Sequence, residues 1–228
     1  MARLIATAGF AARARWAGLL YLVIIVTGLS AELGVRMRII DLNDAAATAE
    51  AIMASPVLFR FGIAADIIMA ICDAGLAVLL YLIFRAIAPG LALAALVFRL
   101  IQTVLIVANL MAMQTALLVL HNPGQMPVDQ AQSLALVFID LHGHGYDLGL
   151  IFFGINSLMT GALIWQSGIF ARAFGAGLAS AGIVYLIGSG LHFFWPEALP
   201  VFAPAYGITI FAETAFCLRL LLQRASQS

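Results

Sequence analysis

The chain contains no lysine and few charges of any kind. All 11 of its basic side chains are arginines, 11 acidic side chains balance them, and charged residues make up 10% of the 228 residues, whereas soluble domains carry about a quarter. A net charge of zero excludes the strongly basic surface that binds nucleic acid, so no nucleic-acid partner is expected. The two cysteines, Cys72 and Cys217, lie in apolar runs and indicate buried thiols rather than a disulfide framework.

Familiar catalytic and transport signatures are also missing. The sequence has no Gly-x-Ser-x-Gly nucleophile turn, no phosphate-binding loop and no His-Glu-x-x-His metal motif. It has no internal repeat either, although many secondary transporters are built from repeats. Motifs therefore identify neither an enzyme nor a transporter, and the sequence leaves open whether the protein is an enzyme.

Hydrophobic residues are abundant, at 64% of the chain. A helix needs about 20 apolar residues to cross a hydrocarbon core, and six segments reach that length. Their approximate bounds are 15–35, 56–84, 91–120, 133–165, 170–194 and 199–222. Each must be helical, because a spanning chain has to satisfy its own backbone hydrogen bonds. The predicted fold is all-α: one membrane-embedded domain, residues 1–228, built as a bundle of six transmembrane helices.

Two parts of this pattern are not simple spans. The loop 36–55 contains good helix formers behind an Asp or Asn cap, which predicts a short amphipathic helix on the outer surface between the first two spans. The fourth segment is too long for one perpendicular span, because its uninterrupted apolar part covers only 148–165. We expect the portion before it to tilt, bend or project beyond the bilayer.

The arginines are unevenly distributed between the two ends of the predicted bundle. Arg36 and Arg38 fall on one side, and seven others fall on the opposite side. Those seven are Arg3, Arg13, Arg15, Arg85, Arg172, Arg219 and Arg224. Because arginine-rich ends remain in the cytoplasm, the distribution predicts that both termini are cytoplasmic.

Three charged side chains are predicted to share a layer inside the membrane. Asp73, Arg99 and Glu213 lie about 12–16 Å from the cytoplasmic ends of their spans, at about 1.5 Å per residue. An arginine at this depth needs a partner, and Asp73 is the first choice because a short turn joins its span to that of Arg99. Two interpretations stay open: a structural staple that fixes helix register, and a relay for protons or ions or an anchor for a headgroup.

A second polar cluster is predicted toward the outer side. Its candidate binding residues are Arg60, Asp66, Asn109, His142, His144 and His192. Asp140, His144 and Asp147 share one face of a helix, whereas His142 joins them only if the glycines beside His144 break the helix. Because imidazole is a common zinc ligand, one interpretation is a divalent metal held by His142, His144 and His192. A hydrogen-bonded structural cluster and a pocket for a non-metal ligand also stay open.

Several motifs combine charged residues with characteristic apolar neighbours. They are Arg15–Leu22, Leu58–Asp66, Phe98–Gln102, Asp140–His142 and Gly145–Gly154. Together they resemble a bacterial membrane family catalogued as domain of unknown function 4386, over about residues 13–222. The resemblance implies a six-helix protein of the bacterial cytoplasmic (inner) membrane, and it brings no established activity, substrate or cofactor. It also implies a shared pattern that includes Arg60, Asp66, Asp73, Arg99, His142 and His192.

Three functional hypotheses follow. The leading one is a protein that binds or transports a small molecule, lipid or ion in a polar intramembrane cavity that opens outward. The second is a metal-dependent membrane enzyme acting on a lipid-like substrate, with Asp140 or Asp147 as general base. The third is a structural partner subunit whose buried charges bond only to one another. The lipid bilayer is the expected surrounding, and a homodimer would supply the symmetry that a transporter requires.

Overall fold

Six apolar helical segments long enough to cross a membrane make up most of residues 8–223, the part of the chain that the computed structural model describes. The helices are α1 (Ala8–Ala31), α2 (Ala45–Ala54), α3 (Pro56–Phe84), α4 (Pro89–His121), α5 (Val128–Ser167), α6 (Arg172–Phe194) and α7 (Tyr206–Leu221). A π-helical turn, Glu32–Arg36, prolongs α1, and short helical turns from Pro196 lead into α7. The all-α prediction is confirmed. Arg3 and Arg224 lie outside the described residues.

Local sequence signals explain where several helices begin and end. Pro56 and Pro89 occupy the first turns of α3 and α4, where the missing N–H of proline costs nothing. The Asp44 carboxylate accepts a hydrogen bond from the Ala47 N–H at 2.9 Å and caps α2. Gly168 ends α5 with a φ of 62°, a conformation that glycine adopts without steric cost. Because these helices begin and end at defined residues, the connections between them are short and successive helices are antiparallel neighbours.

The spanning helices form a ring in the order of the chain. Each one packs against the next, and α7 packs back against α1. One end of the ring is filled by an apolar core that includes Tyr21, Phe84, Leu163 and Phe216. The other end, which carries α2 and is called the α2 end below, encloses a cavity of about 670 Å³. The bundle is therefore solid at one end and hollow at the other.

The predicted loop helix is present as α2, but its apolar side packs onto protein. Ile52 is fully buried in a cluster with Phe59, Met113, Leu117 and Ile139. These partners belong to α3, α4 and α5, whose ends surround α2. The helix therefore covers the ends of the spanning helices instead of lying free on the membrane surface.

Helix α5 runs unbroken for 40 residues, so the glycines beside His144 do not break it and the condition for His142 to join its neighbours is not met. A helix of that length extends about 60 Å, roughly twice the hydrocarbon thickness, and it packs along α4. Gly145 has a packing role: a Cβ atom there would lie 2.3 Å from the Asn109 side-chain oxygen. The glycine therefore admits a polar side chain from α4 without bending α5.

Candidate functional site

The cavity has a polar floor and an apolar mouth. Asp73 and Glu213 contribute to its lining near the middle of the bundle, together with Gln102, Phe153 and Tyr185; these five residues are called the floor. Toward the α2 end, the lining includes large apolar side chains that are about half exposed or more. They are Leu33 (54%), Met37 (68%), Leu42 (51%) and Ile210 (49%). A volume of about 670 Å³ lies in the range of sites that bind small molecules.

Arg99 and Asp73 form a buried ion pair beside the floor. The Arg99 Nε donates to Asp73 Oδ1 at 2.8 Å, and its Nη2 lies 2.6 Å from the same oxygen. The second oxygen, Oδ2, accepts from the Thr103 hydroxyl at 2.9 Å. It also accepts at 2.7 Å from the Gln102 amide when that amide is oriented with its nitrogen toward Asp73, the orientation that satisfies both ends of the amide. The guanidinium also lies over the ring of Phe153, 5.0 Å from its centroid. The Arg99 Nε, the Thr103 hydroxyl and the Gln102 amide therefore donate to Asp73, and little acceptor capacity remains for a ligand.

Glu213 has a different environment from Asp73, although both line the same floor. Its Oε1 accepts from the Tyr185 hydroxyl at 2.5 Å and its Oε2 from the Tyr21 hydroxyl at 3.1 Å. No ion pair joins Glu213 to a basic residue within residues 8–223. The Tyr21 ring, whose hydroxyl bonds Glu213, also lies beside Arg99, with its centroid 5.5 Å from the guanidinium carbon. Glu213 is therefore the floor carboxylate without a direct cationic partner.

The arginine at the cavity wall near the α2 end is Arg36, and the structure does not bring the predicted binding residue Arg60 to this wall. Arg36 donates to Asp66 Oδ2 and to Glu32 Oε2, each at 2.7 Å, and its guanidinium lies over the Tyr146 ring. Arg60 is exposed and does not line the cavity. The reason is helical phase: at about 100° per residue, Arg60 lies roughly 120° around α3 from the buried Asp66.

Asn109 and His142 connect α4 to α5 at the cavity wall. The Asn109 amide nitrogen donates to the His142 carbonyl oxygen at 2.5 Å and lies 3.2 Å from the His142 Nδ1. The His142 side chain is 3% exposed and lines the cavity. Its Nε2 is buried without a hydrogen-bond partner in the described part of the chain.

The other two histidines of the predicted metal site, His144 on α5 and His192 on α6, form a separate group. The Asp147 carboxylate contacts the His192 Nδ1 and accepts from the Ser189 hydroxyl at 2.8 Å. The His144 ring stacks on the His192 ring, with centroids 4.4 Å apart. His142 points to Asn109 instead, because residues two apart on an unbroken helix face different directions. The three histidines therefore do not converge, and no cluster of potential metal ligands is found in residues 8–223.

Several polar residues of the site escaped the sequence interpretation. Those that matter most are Tyr21, Arg36, Gln102, Thr103, Asn156 and Tyr185. One signal was available: Glu32 and Arg36 are four residues apart, the spacing of a helical ion pair. The tyrosines gave no comparable signal, because an apolar ring with one hydroxyl is ordinary in a membrane helix.

The fold and the cavity define a multi-pass helical membrane protein with a polar site inside the bundle. Residues 16–223 match the family model described as "Domain of unknown function (DUF4386)", and the chain belongs to this family. No curated protein and no solved structure matches the chain. The family relationship agrees with the predicted resemblance and assigns no activity. Evidence for the function therefore comes from the residues of the site.

Proposed function

We propose that the protein binds a cationic amphiphile, such as a lipid or small molecule with an amine or quaternary ammonium group. The cation lies near Glu213 at the floor, and the apolar part fills the cavity toward its mouth. The observation that supports this proposal is a carboxylate held by two tyrosine hydroxyls at the floor of a cavity of about 670 Å³. Hydrogen bonds donated to Glu213 offset part of the cost of ionising a buried carboxylate, and a bound cation would offset more of it.

The charges of the cavity support a cationic ligand over an anionic one. Within residues 8–223, Arg36 is the one arginine that lines the cavity, and it is already paired with Glu32 and Asp66. The lining carboxylates are Glu32, Asp73, Asp140, Asp147 and Glu213. The rings of Phe153 and Tyr185, whose centroids are 5.1 Å apart, also line the floor, and aromatic faces attract organic cations.

The mouth supports an amphiphilic ligand over a free ion. Helices α1 and α7 touch near the solid end, where the Cys217 thiol contacts the Gly18 carbonyl oxygen at 3.3 Å. Toward the α2 end, residues of both helices, such as Leu33 and Ile210, line the cavity and are also exposed. This exposed apolar edge favours entry of an acyl chain from the bilayer, since exposed apolar patches mark interaction sites. A structural subunit would not need such a cavity.

The test compares two amphiphiles that share an alkyl chain and differ in head-group charge, hexadecyltrimethylammonium and hexadecyl sulfate. Isothermal titration of the purified protein in maltoside micelles, corrected with protein-free micelles, is expected to show preferential binding of the cation. Glu213→Gln is expected to weaken binding of the cation by about tenfold, because a hydrogen bond or contact to a charged group contributes about 1.5–3 kcal/mol.

Two further variants separate the role of Glu213 from general effects. Glu50→Gln removes an exposed carboxylate on α2 that does not line the cavity, and its affinity for the cation should match that of the wild type. Thr214→Trp places a large ring in the cavity lining and should abolish binding of both amphiphiles. Equal affinity of the wild type for the two head groups would refute the proposed cation site.

We also propose that the protein lies in the bacterial cytoplasmic membrane with both termini in the cytoplasm. Arg13, Arg15, Arg85, Arg172 and Arg219 lie at the solid end, whereas Arg36, Arg38 and Arg60 lie at the α2 end, a distribution that agrees with the positive-inside rule. The cavity mouth then faces the outer leaflet.

The orientation is tested with single cysteines in exposed connections at opposite ends. A cysteine replacing Asn43 should react with a membrane-impermeant maleimide in intact cells, whereas one replacing Ala86 should react only after lysis. The opposite labelling pattern would reverse the orientation.

A further inference from the structure

The His142 imidazole carries a buried hydrogen-bonding nitrogen that nothing in the described chain satisfies. Its side chain is 3% exposed, it lines the cavity, and Nε2 has no hydrogen-bond partner within residues 8–223. Leaving a buried polar atom unpaired costs about 1–3 kcal/mol, and most buried polar atoms in proteins are paired. Because the His142 residue lines the cavity, a molecule bound there is the candidate partner for this atom.

The neighbouring amide determines which imidazole nitrogen carries the proton. Asn109 Nδ2 donates to the His142 carbonyl oxygen at 2.5 Å, so the reverse amide orientation would set two oxygen acceptors against each other. The same Nδ2 lies 3.2 Å from the His142 Nδ1, and an amide nitrogen only donates. The Asn109 backbone carbonyl oxygen, which only accepts, is farther from Nδ1, at 3.4 Å. Nδ1 therefore accepts, and the neutral ring carries its proton on Nε2.

The surrounding backbone is shaped to hold this amide. A Cβ atom at Gly145 would lie 2.3 Å from the Asn109 Oδ1 and 2.8 Å from its Nδ2, so the amide sits where any larger residue would place a side chain. Asn109 is thus a positioning residue that holds the His142 ring in one tautomer and one orientation.

We infer that the His142 Nε2–H donates a hydrogen bond to an oxygen acceptor, a keto or ester carbonyl, in the apolar part of the bound molecule. The inference rests on the proposed function and specifies its ligand further. His142 precedes Phe153 of the floor by three helical turns, so the acceptor lies about 16 Å from the floor. The ligand class is therefore a cationic amphiphile with a carbonyl group well along its chain.

The experiment uses two probes that differ in one oxygen atom: an alkyltrimethylammonium and its mid-chain keto analogue of the same chain length. In isothermal titrations in maltoside micelles, the wild type should bind the keto probe about fivefold more tightly than the plain probe. This difference is the effect of about one net hydrogen bond. His142→Phe should lose this preference and bind the two probes with equal affinity.

A second measurement tests the positioning role without a ligand. In protein labelled with ¹⁵N-histidine, the His142 signals, identified by their loss in His142→Phe, should report a proton on Nε2. Asn109→Leu should give a mixture of tautomers and lose the fivefold preference, because nothing then fixes Nδ1 as the acceptor.

Each outcome addresses a defined claim. Equal binding of both probes by the wild type would overturn the assignment of His142, while the cation site would stand. Failure of both probes to bind would overturn the proposed function together with this inference. A His142 proton on Nδ1 in the wild type would overturn the role of Asn109.

Discussion

Replacing Arg99 by methionine is expected to lower the free energy of unfolding by about 3–5 kcal/mol, because it leaves the Asp73 carboxylate buried without its cation. Asp73 is 3% exposed and Arg99 is 2% exposed, so water does not replace the lost partner. The variant also loses the contacts of the guanidinium with Asn156 and with the rings of Phe153 and Tyr21. Unfolding of the purified protein by dodecyl sulfate in mixed micelles measures the change.

Two companion variants identify the origin of the loss. Arg60→Met removes an exposed arginine on α3 and should change stability by less than about 0.5 kcal/mol. The double variant Asp73→Leu/Arg99→Met removes both charges, and it should be more stable than Arg99→Met alone, since a buried pair is often replaceable by apolar residues. If the double variant is as unstable as the single one, lost packing and not the unpaired charge explains the effect.

The intramembrane layer was predictable because it depends on counting residues along helices. Rise per residue alone places Asp73 and Arg99 at matching depths on helices joined by a short turn, and the structure pairs them at 2.8 Å. Glu213 lies in the same layer by the same argument. Its bonding partners were not predictable, because Tyr21 and Tyr185 come from α1 and α6, and depth arithmetic does not reveal which hydroxyls face inward.

The polar residues nearer the α2 end were harder to predict because helical phase matters more there than depth. Arg36 and Arg60 both lie near the ends of their helices, yet only Arg36 reaches Asp66. The π-helical turn Glu32–Arg36 changes the direction of the Arg36 side chain relative to the preceding α-helix, and sequence periodicity does not reveal such a turn. The two histidines beside Gly143 likewise diverge because the helix continues through both glycines.

Helices α5 and α6 pack so closely that a methyl group added at their interface destabilises the protein. Gly182→Ala is expected to lower the free energy of unfolding by about 3 kcal/mol. A Cβ atom at Gly182 would lie 2.6 Å from the Gly154 carbonyl oxygen and 3.1 Å from the Leu158 backbone nitrogen. Both obstacles are helix backbone, so no side-chain rotation relieves the overlap. The two helices must separate, and they lose van der Waals contacts on which association in lipid depends.

Gly190→Ala is the matched control on the same helix. No atom lies within 4 Å of a Cβ built at Gly190, and alanine favours helix formation over glycine by about 1 kcal/mol, so this variant should be neutral or slightly more stable. Dodecyl sulfate unfolding of both variants gives the comparison. We expect Gly182→Ala to be the less stable of the two variants. Equal stability would mean that the α5–α6 interface tolerates a wider separation than the structure shows.

The same pair of variants should differ in amphiphile binding. Asp147 on α5 contacts Ser189 and His192 on α6, so Gly182→Ala should also disturb the cavity wall, whereas Gly190→Ala should leave amphiphile binding intact.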